Sequence, residues 1–126
     1  METLLINPPQ IPMQDFDILT AVRRGYPAYP PNGLGHLVSS LKKHGRNDLE
    51  LFDCHLEGML KIMNREVDDK NIFMELLEQK LRKSSDVKVI GLTIMFSSLF
   101  ENTAACLKLI REIHPEVTVI VGGVHA

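Results

Sequence analysis

The sequence has 126 residues, 44% hydrophobic and 24% charged, and this length allows one domain and hardly more. Fourteen lysines and arginines stand against sixteen aspartates and glutamates, and a net charge of −2 gives no electrostatic basis for binding nucleic acid. Every apolar run is far shorter than the roughly 18 residues of a membrane span. Cys54 and Cys106 form neither a disulfide framework nor a Cys-x-x-Cys site. We therefore expect a cytoplasmic globular domain, with neither nucleic acid nor membrane as a partner.

Four segments rich in aliphatic and β-branched residues predict β-strands. They cover residues 3–6, 49–52, 87–94 and 117–121. The first strand stops abruptly at Asn7-Pro8-Pro9, because proline cannot donate to a sheet ladder. The last is followed by Gly122-Gly123.

Segments with apolar residues at helical spacing lie between these strands. They cover residues 32–44, 57–83 and 98–114, and a helical turn is expected within the long segment 10–32. The alternation predicts an α/β fold, a doubly wound parallel sheet of the Rossmann or flavodoxin type. Ligands of such sheets bind beyond the carboxyl ends of the strands, where the strand order switches.

The turn after the first strand excludes several common functions of this fold. A dinucleotide site needs a glycine-rich turn with free amides, whereas this turn is Asn7-Pro8-Pro9-Gln10. A phosphoacceptor receiver needs clustered acidic residues there, and a flavodoxin-type phosphate loop needs small hydroxyl residues. None of these residues follows the first strand.

Six short motifs follow one another along nearly the whole chain. They are Leu5-Ile6-Asn7-Pro8-Pro9, Pro30-Pro31-Asn32-Gly33-Leu34, Leu41-Lys42-Lys43-His44-Gly45, Val89-Ile90-Gly91-Leu92-Thr93, Pro115 and Val121-Gly122-Gly123-Val124-His125-Ala126. In this order they resemble the N-terminal cobalamin (B12)-binding domain of class B radical S-adenosylmethionine enzymes. The resemblance implies that residues 1–126 form one cobalamin-binding domain.

The resemblance also implies where the corrinoid binds. It would be held over the strand ends near Asn7, Pro8 and Pro9, with its nucleotide tail threaded between the sheet and a helix. The glycines at the end of the last strand and the hydroxyl residues after the third would line the tail. These residues are Ser97, Ser98, Gly122 and Gly123.

In that family the domain precedes a barrel that binds an iron–sulfur cluster and S-adenosylmethionine through Cys-x-x-x-Cys-x-x-Cys. This sequence contains no such motif and ends five residues after the fourth strand. Compared with that family, we expect a sheet truncated after the fourth strand, without the usual fifth strand and its helix. We therefore expect a fragment of a longer enzyme, of the methyltransferase or oxidative cyclase type. By itself it would supply the cofactor cradle without being catalytic.

The segment Asp53-Cys54-His55-Leu56-Glu57-Gly58 spells Asp-x-His-x-x-Gly. In cobalamin-dependent methyltransferases and mutases, this motif supplies a histidine as lower axial ligand to cobalt, oriented by the aspartate. That resemblance implies metal ligation by His55. The motif follows the first strand in those proteins but the second here, and in the radical enzymes the lower face is left unligated. The sequence leaves both alternatives open.

Two further questions stay open. Tyr26 and Tyr29 either pack over the corrin or anchor the long segment to the core. The chain as a whole is either a cobalamin cradle or a cofactor-free, non-catalytic module that acts through protein contacts. An edge strand with unpaired amides also predicts pairing with a second copy of the chain.

Overall fold

The computed structural model describes residues 1–27, 29–94 and 97–123. Four strands form one parallel sheet in the order β2-β1-β3-β4. They are β1 (Thr3–Asn7), β2 (Leu49–Asp53), β3 (Val89–Thr93) and β4 (Thr118–Gly122). The α/β prediction is confirmed. The side chain of Ser97 and the motif residues Val124, His125 and Ala126 lie outside the described residues.

The strands are connected by helices and short turns. The helices are α1 (Ile18–Arg23), α2 (Asn32–Lys43), α3 (Cys54–Met63), α4 (Ile72–Lys83) and α5 (Phe100–Ile113). Single 3-10 turns occur at Met13–Asp15 and Ser97–Leu99. In the described part of the chain, no helix combines the length and apolarity needed to cross a membrane.

The predicted helical segment 57–83 is two helices. The sequence offers Asp68 or Asp69 as the N-cap of its second part, whereas α4 begins at Ile72 with Asn71 at the N-cap position.

Arg65 has a φ of +58°, a left-handed conformation that ends α3 and that side chains rarely adopt. The backbone N–H of Glu66 then bonds the carbonyl of Lys61, which closes the turn. Residues 64–71 turn the chain, and α4 packs against both α3 and α5.

The main core lies between the sheet and α3, α4 and α5. Alternate residues of the central strands, among them Leu4, Ile6 and Ile90, are fully buried against Phe73 and Ile110. Because successive strand side chains point to opposite faces, Leu5, Gly91 and Ile120 lie on the other face. They share a groove with residues of α2, so the sheet carries helices on both faces.

The face that carries α2 is covered unevenly. Leu5 is 4% exposed, whereas Ile120 on β4 is 59% exposed and Leu37 on α2 is 44% exposed. The part of this face over β3 and β4 therefore presents apolar surface to solvent. It borders the ends of the strands.

Candidate functional site

The carboxyl edge of the sheet is tied together where β1 and β2 end. Asn7 and Asp53 are register partners in the parallel pair. The Asn7 side-chain amide donates to the Asp53 carboxylate over 2.9 Å, and Asn7 itself is 1% exposed. A buried amide needs a partner, and this one joins the two strand ends.

The Asp53 carboxylate also caps the helix that follows. It accepts the backbone N–H of Leu56 at 3.1 Å, satisfying one of the free donors at the start of α3. His55 bonds the backbone of Gln10 and Pro27 instead. The motif resemblance implies that Asp53 orients the imidazole, but in this structure its hydrogen bonds go to Leu56 and Asn7.

The glycine of the Asp-x-His-x-x-Gly segment has a packing role. A methyl group placed on Gly58 would lie 2.3 Å from the Phe73 ring. Glycine therefore allows α3 to approach Phe73 of α4 closely. Two of the three motif residues, Asp53 and Gly58, therefore have structural roles, in helix capping and in close packing.

His55 is buried and both of its ring nitrogens are engaged. Nδ1 accepts the backbone N–H of Gln10 at 2.9 Å, and Nε2 lies 3.3 Å from the carbonyl of Pro27. A neutral ring protonated on Nε2 satisfies both bonds. Burial lowers the pKa of His55, more than the Pro27 carbonyl and the Asp53 charge raise it. Ligation of a metal through Nε2 would require the contact with Pro27 to break.

The loop after β1 is held by two residues that the sequence patterns did not single out. The side chain of Gln10 accepts the backbone N–H of Tyr29 and donates to its carbonyl, each at 3.0 Å. Asn102 of α5 donates to the carbonyls of Pro9 and Ile11 and accepts the N–H of Met13. Asn102 lies one helical turn before Cys106 on the buried face of α5. Because a polar side chain on the buried face of a helix needs a hydrogen-bond partner, this position in the sequence indicates such a role for Asn102.

A groove of about 250 Å³ opens on the α2 face beside the ends of β3 and β4. Its lining is mainly aliphatic side chains and glycine backbone: Leu5, Gly33, Leu34, Leu37, Gly91, Leu92, Thr93, Ile120, Gly122 and Gly123. Glycines let a ligand approach the main chain closely. The groove therefore suits a flat, largely apolar group.

The two glycines at the end of β4 differ in what their own chain requires of them. Gly123 has a φ of +107°, and a Cβ there would lie 2.5 Å from the carbonyl of Ile94, so glycine is needed structurally. Gly122 lies in regular strand backbone, and a Cβ there would meet nothing within 4 Å. Packing within the described chain gives no reason for glycine at position 122.

The predicted site residues thus form two groups. Asn7 and Asp53 are joined directly, and His55 and Pro9 hold the adjoining loop. Pro8 and Pro9 are buried. Gly122 and Gly123 line the groove, and Ser98 is exposed on the turn after β3. Among the residues that the structure describes, no three His, Cys, Asp or Glu side chains are grouped as a metal site.

Comparisons with protein-family models, curated proteins and solved structures find no significant match to this chain. The geometry of the strand ends and of the groove is therefore the basis for assigning a function.

Proposed function

We propose that the chain is the cobalamin-binding module of a radical S-adenosylmethionine enzyme, of the methyltransferase or oxidative cyclase type. The observation that carries the proposal is the groove beside Gly122, whose missing side chain leaves space that the chain does not fill. Gly122 is the last residue of β4, and a glycine that packing does not require is a position where a ligand can approach the main chain closely. The whole enzyme's iron–sulfur cluster and S-adenosylmethionine belong to the same proposal and would bind elsewhere.

The apolar lining of the groove supports binding of the flat base of the nucleotide tail. Leu5, Leu34 and Leu37 offer aliphatic contacts, and Gly122 leaves open space at the end of β4. Pockets that take flat heterocycles are mostly apolar, with few polar groups. The groove lies beside the carboxyl ends of β3 and β4, so a tail bound there leads to a corrin ring over the edge.

The two nitrogens of His55 are poorly placed to ligate cobalt. Both nitrogens of His55 bond the backbone of neighbouring loops. We propose that His55 positions those loops and does not ligate the cobalt. The variant His55→Asn should then leave the visible spectrum of bound hydroxocobalamin unchanged. A shifted spectrum would establish the axial ligation that the motif resemblance implies.

Both cysteines are consistent with a reducing compartment, and we propose that the protein is cytoplasmic. Cys54 and Cys106 are free and buried. Burial raises the pKa of the Cys106 thiol to about 12, which keeps it protonated and unreactive at neutral pH. We therefore propose no role for Cys106 as a nucleophile.

Closing the groove tests the proposal without disturbing the fold. Gly122→Val adds a β-branched side chain in open space on a strand, so the free energy of unfolding should stay level or rise by up to about 1 kcal/mol. Retention of hydroxocobalamin in equilibrium dialysis should fall at least ~10-fold. The matched control Thr118→Val changes an exposed residue at the other end of β4, outside the groove lining, and should bind like wild type. Equal retention by all three proteins would contradict the proposal.

A protein-interaction module without cofactor is the second candidate, because α3 presents an apolar stripe to solvent. Leu56, Leu60 and Met63 share one side of the helix and are 42%, 46% and 48% exposed. Such stripes often mark contacts with other proteins. This candidate would be favoured if the wild-type protein retained no corrinoid and if the variant Leu60→Glu lost binding to a partner protein.

Pairing of two copies through β4 stays a prediction that sedimentation at high concentration tests.

A further inference from the structure

The two tyrosines of the chain play different structural parts. The Tyr26 ring packs against Phe16, with centroids 5.0 Å apart. Its hydroxyl accepts the backbone N–H of Asp17 at 3.1 Å. Tyr26 therefore anchors its segment to the core through both its ring and its hydroxyl.

Tyr29 has the opposite arrangement: its backbone is fixed and its side chain is 52% exposed. Both its N–H and its carbonyl bond the side chain of Gln10. Gln10 is 7% exposed, and its own N–H bonds His55. A buried glutamine and a buried histidine thus serve to hold the main chain of an aromatic residue whose ring contributes little to the core.

An exposed aromatic ring on a fixed backbone is well suited to binding. Tyrosine has few rotatable bonds, so its contact with a ligand costs little conformational entropy. Holding the backbone in advance reduces that cost further. Burying the ring under a flat ligand also removes apolar surface from water.

The position of Tyr29 connects the carboxyl edge to the groove. Gln10 follows the end of β1, which brings Tyr29 to that edge. Gly33, which lines the groove, is four residues further on, so the two Cα atoms are at most about 14 Å apart. A ligand with its tail in the groove and a large ring over the edge has Tyr29 within reach.

We propose that Tyr29 is a ligand-contacting residue whose ring packs against the corrin macrocycle, while Gln10 and His55 act as positioning residues for it. The inference rests on the proposed cobalamin-binding function. In this arrangement the Tyr29 ring contacts the corrin, whereas the groove holds the nucleotide tail.

Two corrinoids separate these contributions. Hydroxocobalamin carries the tail, and dicyanocobinamide has the same macrocycle without it. Tyr29→Ala should weaken binding of both probes by the same factor, ~3- to 10-fold. Tyr29→Phe, which keeps the ring, should bind both within about twofold of wild type. Gly122→Val should weaken hydroxocobalamin alone.

The controls keep the outcomes distinct. Tyr26→Phe preserves the anchoring ring and should bind like wild type. Because the Tyr29 ring is exposed, its truncation should change the free energy of unfolding by no more than about 0.5 kcal/mol. If wild type binds hydroxocobalamin and Tyr29→Ala binds equally well, this inference is overturned and the proposed function stands. If Tyr29→Phe loses as much as Tyr29→Ala, the hydroxyl rather than the ring is the contact, which also overturns it. If wild type retains neither corrinoid, both proposals fail.

Discussion

The backbone N–H of Gln10 donates a hydrogen bond to Nδ1 of His55 over 2.9 Å. It joins the loop after β1 to the first turn of α3, two segments 45 residues apart in sequence. Nε2 on the far side of the same ring reaches the Pro27 carbonyl. One buried imidazole thus fixes three segments at the carboxyl edge of the sheet.

Removing this imidazole should destabilise the fold. His55→Ala leaves the buried Gln10 N–H without its partner, removes the contact with the half-buried Pro27 carbonyl and opens a cavity. We expect the free energy of unfolding in urea to fall by about 2–4 kcal/mol. Leu56→Ala, at the exposed neighbouring position, should cost less than about 0.5 kcal/mol. Equal effects of the two substitutions would show that the ring's hydrogen bonds contribute nothing.

The same histidine should make stability depend on pH. Burial lowers its pKa in the folded chain below the ordinary 6.5. Below pH 6.5 the unfolded chain therefore binds a proton that the folded chain does not, and stability falls as the pH drops towards the folded pKa. The slope from one such proton is at most about 1.4 kcal/mol per pH unit.

Urea titrations at several pH values between 7.5 and 5 test this dependence. His55→Asn should flatten the curve in that range, whereas His36→Asn, at an exposed position on α2, should keep it. A wild-type slope in His55→Asn would assign the dependence to other groups.

Two helical glycines should respond oppositely to alanine. A Cβ on Gly58 would collide with the Phe73 ring, so Gly58→Ala should cost about 1–3 kcal/mol in thermal or urea unfolding. A Cβ on Gly35 of α2 meets nothing within 4 Å, so Gly35→Ala should gain about 0.5–1 kcal/mol from helix propensity. A stabilised Gly58→Ala variant would mean that Gly58 of α3 and the Phe73 ring of α4 are not in such close contact.

Asn102 should stabilise the loop that follows β1. Asn102→Ala removes a buried amide that serves Pro9, Ile11 and Met13, and we expect a loss of about 2–4 kcal/mol. The Met13 amide should also exchange its hydrogen faster than in wild type, relative to amides of the central strands. The exposed Asn71→Ala is the matched control. Unchanged exchange at Met13 would contradict this role for Asn102.

The alternation of strands and helices was predictable because each element is encoded by nearby residues. Val89–Thr93 is rich in β-branched and aliphatic residues, and Gly45, with a φ of +84°, follows the end of α2, where glycine commonly ends helices. The turn at Arg65 was not predicted, since an arginine carries no local signal for positive φ. It divides the segment that sequence periodicity treats as one helix.

The candidate site was only partly predictable, because its bonds cross long stretches of sequence. Asn7 and Asp53 were singled out as strand-end residues, and the parallel register explains their contact. The roles of Gln10 and Asn102 depend on partners up to 93 residues away in the chain. His55 was noticed as a ligand-type residue, but whether its nitrogens are free depends on how Pro27 and Gln10 fold over it.

Equilibrium dialysis of the purified wild-type chain against hydroxocobalamin measures directly whether the protein binds cobalamin. We expect saturable retention approaching one corrinoid per chain, reduced in Gly122→Val and preserved in Thr118→Val. No saturable retention by wild-type protein that is folded by circular dichroism would contradict it.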